Sequence, residues 1–101
     1  MKIAFTQSGG FAGAIRHCIL DTGTMPSSEA AVLEELVRAA KLDAAPASRL
    51  SVSGRDLEEY QIAVEGDGGS TTVVRDASTL SPETKALVGY LKRCAHPGAP
   101  P

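Results

Sequence analysis

Tryptophan is absent from this 101-residue chain, and two Phe and two Tyr bring the aromatic share to only 4%. A core built without large rings has to come from Ile, Leu, Val and Ala. Cysteine is as scarce, with Cys18 and Cys94 the only two. Two distant thiols make no disulfide framework, and they read as reduced, buried, small apolar side chains. Charge of neither sign dominates: 10 Lys and Arg stand against 12 Asp and Glu, a net −2. No basic field is therefore available to hold nucleic acid or anionic lipid. No apolar run approaches the roughly 18 residues of a membrane span. The strand-like opening carries no charged-then-apolar leader, which predicts a cytoplasmic protein. The length fits one domain over residues 1–95. The Pro, Gly and Ala of 96–101 predict a disordered tail.

What is present is alternation and helical spacing. Lys2 to Gln7 puts Ile3 and Phe5 on one face and Lys2, Ala4 and Thr6 on the other, a half-buried strand. A second strand runs from Ala14 to Asp21 in either of two phases: Ala14, Arg16, Cys18 and Leu20 share one face and Ile15, His17 and Ile19 the other, and Cys18 and Leu20 are favoured for the inside. Between them, Ser8-Gly9-Gly10-Phe11-Ala12-Gly13 reads as a hairpin loop. Phe11 there is either a lid on the hairpin's own core or a contact for a partner. Asp21 to Pro26 is a turn, and Pro26 pushes Met25 towards an extended backbone.

Ser27 or Ser28 can cap the next helix, whose Ala30, Leu33, Leu36, Val37 and Ala40 form one apolar stripe to about Leu42. Glu34 and Arg38 are spaced as a favourable pair. Residues 43–55 show no pattern. Tyr60, Ile62 and Val64 alternate in a third strand, Gly66-Asp67-Gly68-Gly69 is a hairpin turn, and Ser70 to Arg75 is a fourth strand with Thr71 and Val73, or else Thr72 and Val74, inside. Ser81-Pro82-Glu83 starts a second helix with a cap, a Pro at the first position and an acid. Leu87, Tyr90, Leu91 and Cys94 form its stripe. The order is ββαββα. It predicts an α+β fold, a four-stranded, mainly antiparallel sheet with both helices on one face.

Catalysis is poorly supported. There is no Gly-x-Ser-x-Gly elbow, and His17 and Cys18, as strand neighbours, point to opposite faces. The Cys and His supply is too thin for three or four converging metal ligands, so neither a metal site nor a cofactor is expected. The glycine stretch lacks the Gly-Lys-Ser/Thr of a phosphate loop and joins strand to strand. A non-enzymatic binding domain fits better. It would present apolar anchors on stiff loops at one of the two ends of the sheet.

Met1-Lys2-Ile3 to Phe5, the Ser8-Gly9-Gly10-Phe11-Ala12-Gly13 block, the strand closing at Asp21, Met25-Pro26, the Ala/Glu/Leu-rich helix and the Val-rich fourth strand together resemble the emfourin family. The resemblance extends to about Arg93, and the Ser-Gly-Gly-Phe-Ala-Gly block is its specific part. Family members often have aromatics after the first helix, where this chain has Leu42-Asp43-Ala44-Ala45, and Met25 stands where Leu is more usual. The resemblance implies a small bacterial protein inhibitor of thermolysin-like zinc metalloproteases, protealysin among them. Such a chain acts as a monomer on a target whose zinc sits on a His-Glu-x-x-His helix. Met25 is the expected anchor in the target's substrate pocket, with Pro26 beside it and Thr22, Gly23 and Thr24 lining the cleft. Phe11, with Gly10 and Ala12, is the second expected contact. The other reading is a small regulatory domain that binds a different protein or a small ligand.

Overall fold

The alternation along Lys2–Gly9 (β1) sends Ile3, Phe5 and Gln7 inward and leaves Lys2 and Ala4 exposed, in a computed structural model that describes residues 1–9, 14–51, 57–66 and 68–99. The other strands are β2 (Arg16–Asp21), β3 (Ser48–Arg49), β4 (Glu58–Gly66), β5 (Gly69–Asp76) and β6 (His96–Pro97), and the helices are α1 (Ser27–Ala40) and α2 (Pro82–Cys94). Short 3-10 turns occupy Thr22–Thr24 and Leu42–Ala44.

The expected four-stranded antiparallel sheet is corrected by this arrangement. Among the described residues six strands form one mixed sheet in the order β3-β5-β4-β1-β2-β6, and β3 runs parallel to β5. The α+β class and the two helices stand. The difference lies at the two edges. On one edge Val74 donates to the Ala47 carbonyl at 2.8 Å, which docks the Ala47–Arg49 stretch beside β5. On the other, His96 and Pro97, read from the sequence as part of a disordered tail, pair with His17 and Arg16. Gly98 N–H donates to the Ile15 carbonyl at 2.9 Å and the Arg16 guanidinium to the Ala95 carbonyl at 2.6 Å, fastening this edge. Edge strands of two residues carry no periodicity from which to read them.

One face of the sheet is covered. Ile3, Phe5, Cys18, Tyr60, Ile62 and Val73 meet Leu33 of α1 and Leu87, Val88 and Leu91 of α2 in a single buried cluster. Full burial of each large aliphatic side chain contributes about 1.5–3 kcal/mol relative to exposure. Phe5 and Tyr60 stack with ring centroids 6.1 Å apart, so the scarce rings meet near the centre. Cys18 is buried, as its assigned phase requires, and Ile19 on the opposite face is 46% exposed.

α2 starts where its cap predicts: the Ser81 hydroxyl accepts the Thr84 N–H at 3.1 Å and Pro82 opens the first turn. α1 differs slightly. It begins after Pro26, whose carbonyl accepts the Ala30 N–H at 2.9 Å, and no side chain caps it. Arg38 pairs with Glu35, three residues back, instead of Glu34. α1 ends at Lys41, which takes the left-handed conformation with φ 49°.

Candidate functional site

The turn between β2 and α1 is held at several points. The Asp21 carboxylate accepts the Gly23 N–H at 2.9 Å, and the Thr24 hydroxyl donates to the Asp21 carbonyl at 3.1 Å. Thr22 N–H donates to the Met1 carbonyl at 2.9 Å, and the Thr22 hydroxyl bonds the Met1 backbone too. This Asx-type arrangement substitutes a side chain for a backbone turn. It rolls Thr22–Thr24 into one 3-10 turn and delivers Met25 in extended conformation, φ −97° and ψ 155°. Gly23 fits closely here, since a Cβ at that position would stand 3.2 Å from Asp21 Oδ1.

Thr22, Gly23, Thr24, Met25 and Pro26 are therefore contiguous on one preordered turn, with Gly23, Thr24 and Pro26 exposed. Met25 is half-buried and packs against the edge of the core cluster, so part of its side chain is a staple and the remainder faces outward. Gly10, Phe11 and Ala12 lie outside the described residues. Gly9, which precedes them, sits at the far end of β1 from Lys2, and the register pairs Lys2 with Asp21. Eight residues of strand put the two ends roughly 23 Å apart.

Near the Thr22–Pro26 turn the uncovered sheet face carries a shallow depression of about 180 Å³ lined by Lys2, Ala4, Ile19, Ala63 and Glu65. Sequence reasoning passed over it, although its residues are the outward members of the alternating strands and its apolar member Ile19 was visible. Two polar networks were also missed. Glu58 accepts from Gln7, Tyr60 and Lys92 at 2.5, 2.9 and 3.1 Å. Burial pushes the Glu58 carboxyl up, but these donors together hold it below its ordinary value. Asp76 accepts the Ser51 N–H, and the Ser78 N–H and hydroxyl, which hold its carboxyl low. Both networks brace the opposite end of the sheet, where Gly9 faces Glu58.

Among the described residues no group of three or more His, Cys, Asp or Glu is placed to hold a metal ion. No helix there is long and apolar enough to cross a membrane. What the fold and the turn define is a small α+β domain carrying a stiff, partly apolar loop at one end of its sheet. The family described as Emfourin matches residues 5–92, and the chain belongs to the emfourin family. That membership suggests a metalloprotease-inhibitor function. No curated protein and no solved structure matches the chain.

Proposed function

We propose that this chain is a non-enzymatic protein inhibitor of thermolysin-like zinc metalloproteases. In this reading it acts as a monomer and lays the Thr22–Pro26 turn into the enzyme's active-site cleft. The observation that carries the reading is the emfourin match over residues 5–92. The turn supports it physically. Association costs entropy for every loop that must be ordered, and a turn already tied by Asp21, Thr22 and Thr24 has little left to lose. Pro26 removes further backbone freedom beside the anchor.

Met25 has two jobs here. Its inner part rests on the core and fixes the direction of the side chain, and its outer part enters the apolar pocket that receives a substrate side chain. A thioether adapts to such a pocket without a fixed shape. Thr22, Gly23 and Thr24 line the contact, and the depression around Ile19 extends it over the open sheet face. Phe11, with Gly10 and Ala12, is the second proposed contact.

The test is a titration of a thermolysin-like protease with the purified chain. The reading expects activity to fall linearly to a stoichiometric end point. Full activity in a molar excess of the chain, across proteases of that type, would overturn it.

A further inference from the structure

A hollow lies beyond the C-terminal end of α1. A cavity of about 330 Å³ opens there, lined among others by Lys41, Arg49, Arg75, Thr79, Ser81 and Thr84. Arg75 points inward from β5 and is only 3% exposed. Its guanidinium donates to two neutral carbonyls, Val74 at 2.8 Å and Pro46 at 2.7 Å. Neither carries a countercharge.

Among the described residues the ion pairs are Arg38 with Glu35 and Lys92 with Glu58, so Lys41, Arg49 and Arg75 face the cavity without a carboxylate. Asp76, next in the chain, accepts from Ser51 and Ser78 instead. Burial and the like charge of Arg49 both push the Arg75 guanidinium below its ordinary value.

A buried charge is normally paired, because removing it from water is costly otherwise. Here Arg75 bears that cost, Lys41 and Arg49 stand exposed at the rim of the same hollow, and no carboxylate among the described residues pairs with any of the three. An oxyanion would offset that cost. The guanidinium of Arg75, anchored by Pro46 and Val74, presents donors in a fixed plane suited to two oxygens of an anion. The Thr84 hydroxyl accepts from Ser81 at 2.9 Å and so keeps its own proton to donate. The first turn of α2 adds its positive end as a minor contribution.

We infer that this cavity binds a phosphate-class oxyanion, either free phosphate or the phosphate group of a small ester. Three cations favour a multiply charged anion over a monocarboxylate. The site is separate from the Thr22–Pro26 turn, because the 14 residues of α1 lie between them, about 20 Å of helix.

The experiment is calorimetric and 31P NMR titration of the full chain with inorganic phosphate, with glycerol phosphate in a parallel arm, at constant ionic strength set by chloride. Saturable binding of either is expected, and acetate should bind at least tenfold more weakly. Lys41→Gly suits the left-handed backbone at that position and removes one cation, and Arg49→Gln removes another from an exposed position. Each should weaken phosphate binding at least tenfold while leaving the circular dichroism spectrum and protease inhibition unchanged. Tighter binding of the ester would identify an organic phosphate as the occupant, and equal binding would identify free phosphate. Absence of saturable binding of both probes to the unmodified chain, or undiminished binding in the Lys41→Gly, Arg49→Gln double variant, would overturn the inference.

Discussion

Glu58 and Lys92, 34 residues apart in the chain, meet with carboxylate and ammonium 3.1 Å apart over the ring of Tyr60. The contact ties the start of β4 to the last turn of α2. Both side chains remain more than a third exposed, so the ion pair alone contributes under about 1 kcal/mol. The larger consequence is for Gln7, which is buried and whose amide donates to Glu58. Glu58→Ala leaves that amide without its acceptor and should cost about 1–2 kcal/mol, measured by urea unfolding. The pH dependence follows in sign. The Glu58 carboxyl is held below its ordinary 4.5 in the folded state, so its contribution is present above that pH and is lost as pH falls below it. The Lys92 ammonium is raised above 10.5 by its hydrogen bond to Glu58, so its contribution is present below 10.5 and is lost as pH rises beyond it. Stability of Glu58→Gln should therefore be flatter between pH 3 and 6 than that of the parent chain.

The Thr22–Pro26 turn allows stability and binding to be separated. Met25→Asp puts a charge where the side chain is half-buried against the core, so a small loss of stability is expected together with a strong loss of inhibition. Asp21→Ala acts differently. It removes the acceptor for the Gly23 N–H while leaving Met25 in place, loosening the turn without altering the anchor. Inhibition should weaken several-fold through the added ordering cost. Inhibition constants for the two variants, beside their unfolding midpoints, check both claims. Unchanged inhibition by Met25→Asp would remove Met25 from the contact.

Much of this fold was legible because its long elements announce themselves. Ser81-Pro82-Glu83 marked the start of α2, and the spacing of Ala30, Leu33 and Ala40 marked the buried face of α1. The Gly66-Asp67-Gly68-Gly69 signal marked the connection between β4 and β5, and the reading that favoured Cys18 inside agrees with its burial in β2. What stayed hidden depends on distant partners. β3 exists because Val74 and Arg75 reach Ala47 and Pro46, and β6 because Arg16 and Ile15 reach Ala95 and Gly98. Neither edge has a local pattern to read. The buried Arg75 was not singled out because the phase of β5 stayed open between Thr71 with Val73 and Thr72 with Val74, and only the first puts position 75 on the inner face. On the site side, the turn and its extended Met25 were readable from Asp21 and Pro26. The core contact of Met25, and the distance of the Gly9 end from the turn, required the register.

Cysteine reactivity should distinguish the two thiols. Cys18 is 2% exposed, and burial, reinforced by nearby Cys94, pushes its thiol up to about 11. At pH 8 about a thousandth of it is thiolate, the reactive form. Cys94 is half-buried on the last turn of α2. Iodoacetamide at pH 8 should therefore label Cys94 first, while Cys18 reacts only as fast as the chain opens. Mass spectrometry of the peptides over time would show this order, and equal rates would contradict the burial of Cys18.

Gly89 is the residue in α2 whose replacement should improve the protein. It sits mid-helix, where glycine costs about 0.5–1 kcal/mol relative to alanine because the unfolded chain has more freedom to lose. Such a glycine is often kept because a Cβ would collide with a neighbour. Here the nearest atom to a Cβ built at Gly89 is the Arg93 guanidinium nitrogen at 3.9 Å, an ordinary contact with the end of a flexible side chain. The position also lacks the positive φ that only glycine accepts readily, in contrast to Gly69 at φ 115° and Gly98 at φ 114°. Gly89→Ala is therefore expected to raise stability by about 0.5–1 kcal/mol, a rise of roughly 2–8 °C in melting temperature for a domain of this size. Gly69→Ala, with equally open space but a strained backbone, should lower it. Thermal unfolding of the two variants side by side isolates the backbone effect, because neither substitution creates a clash.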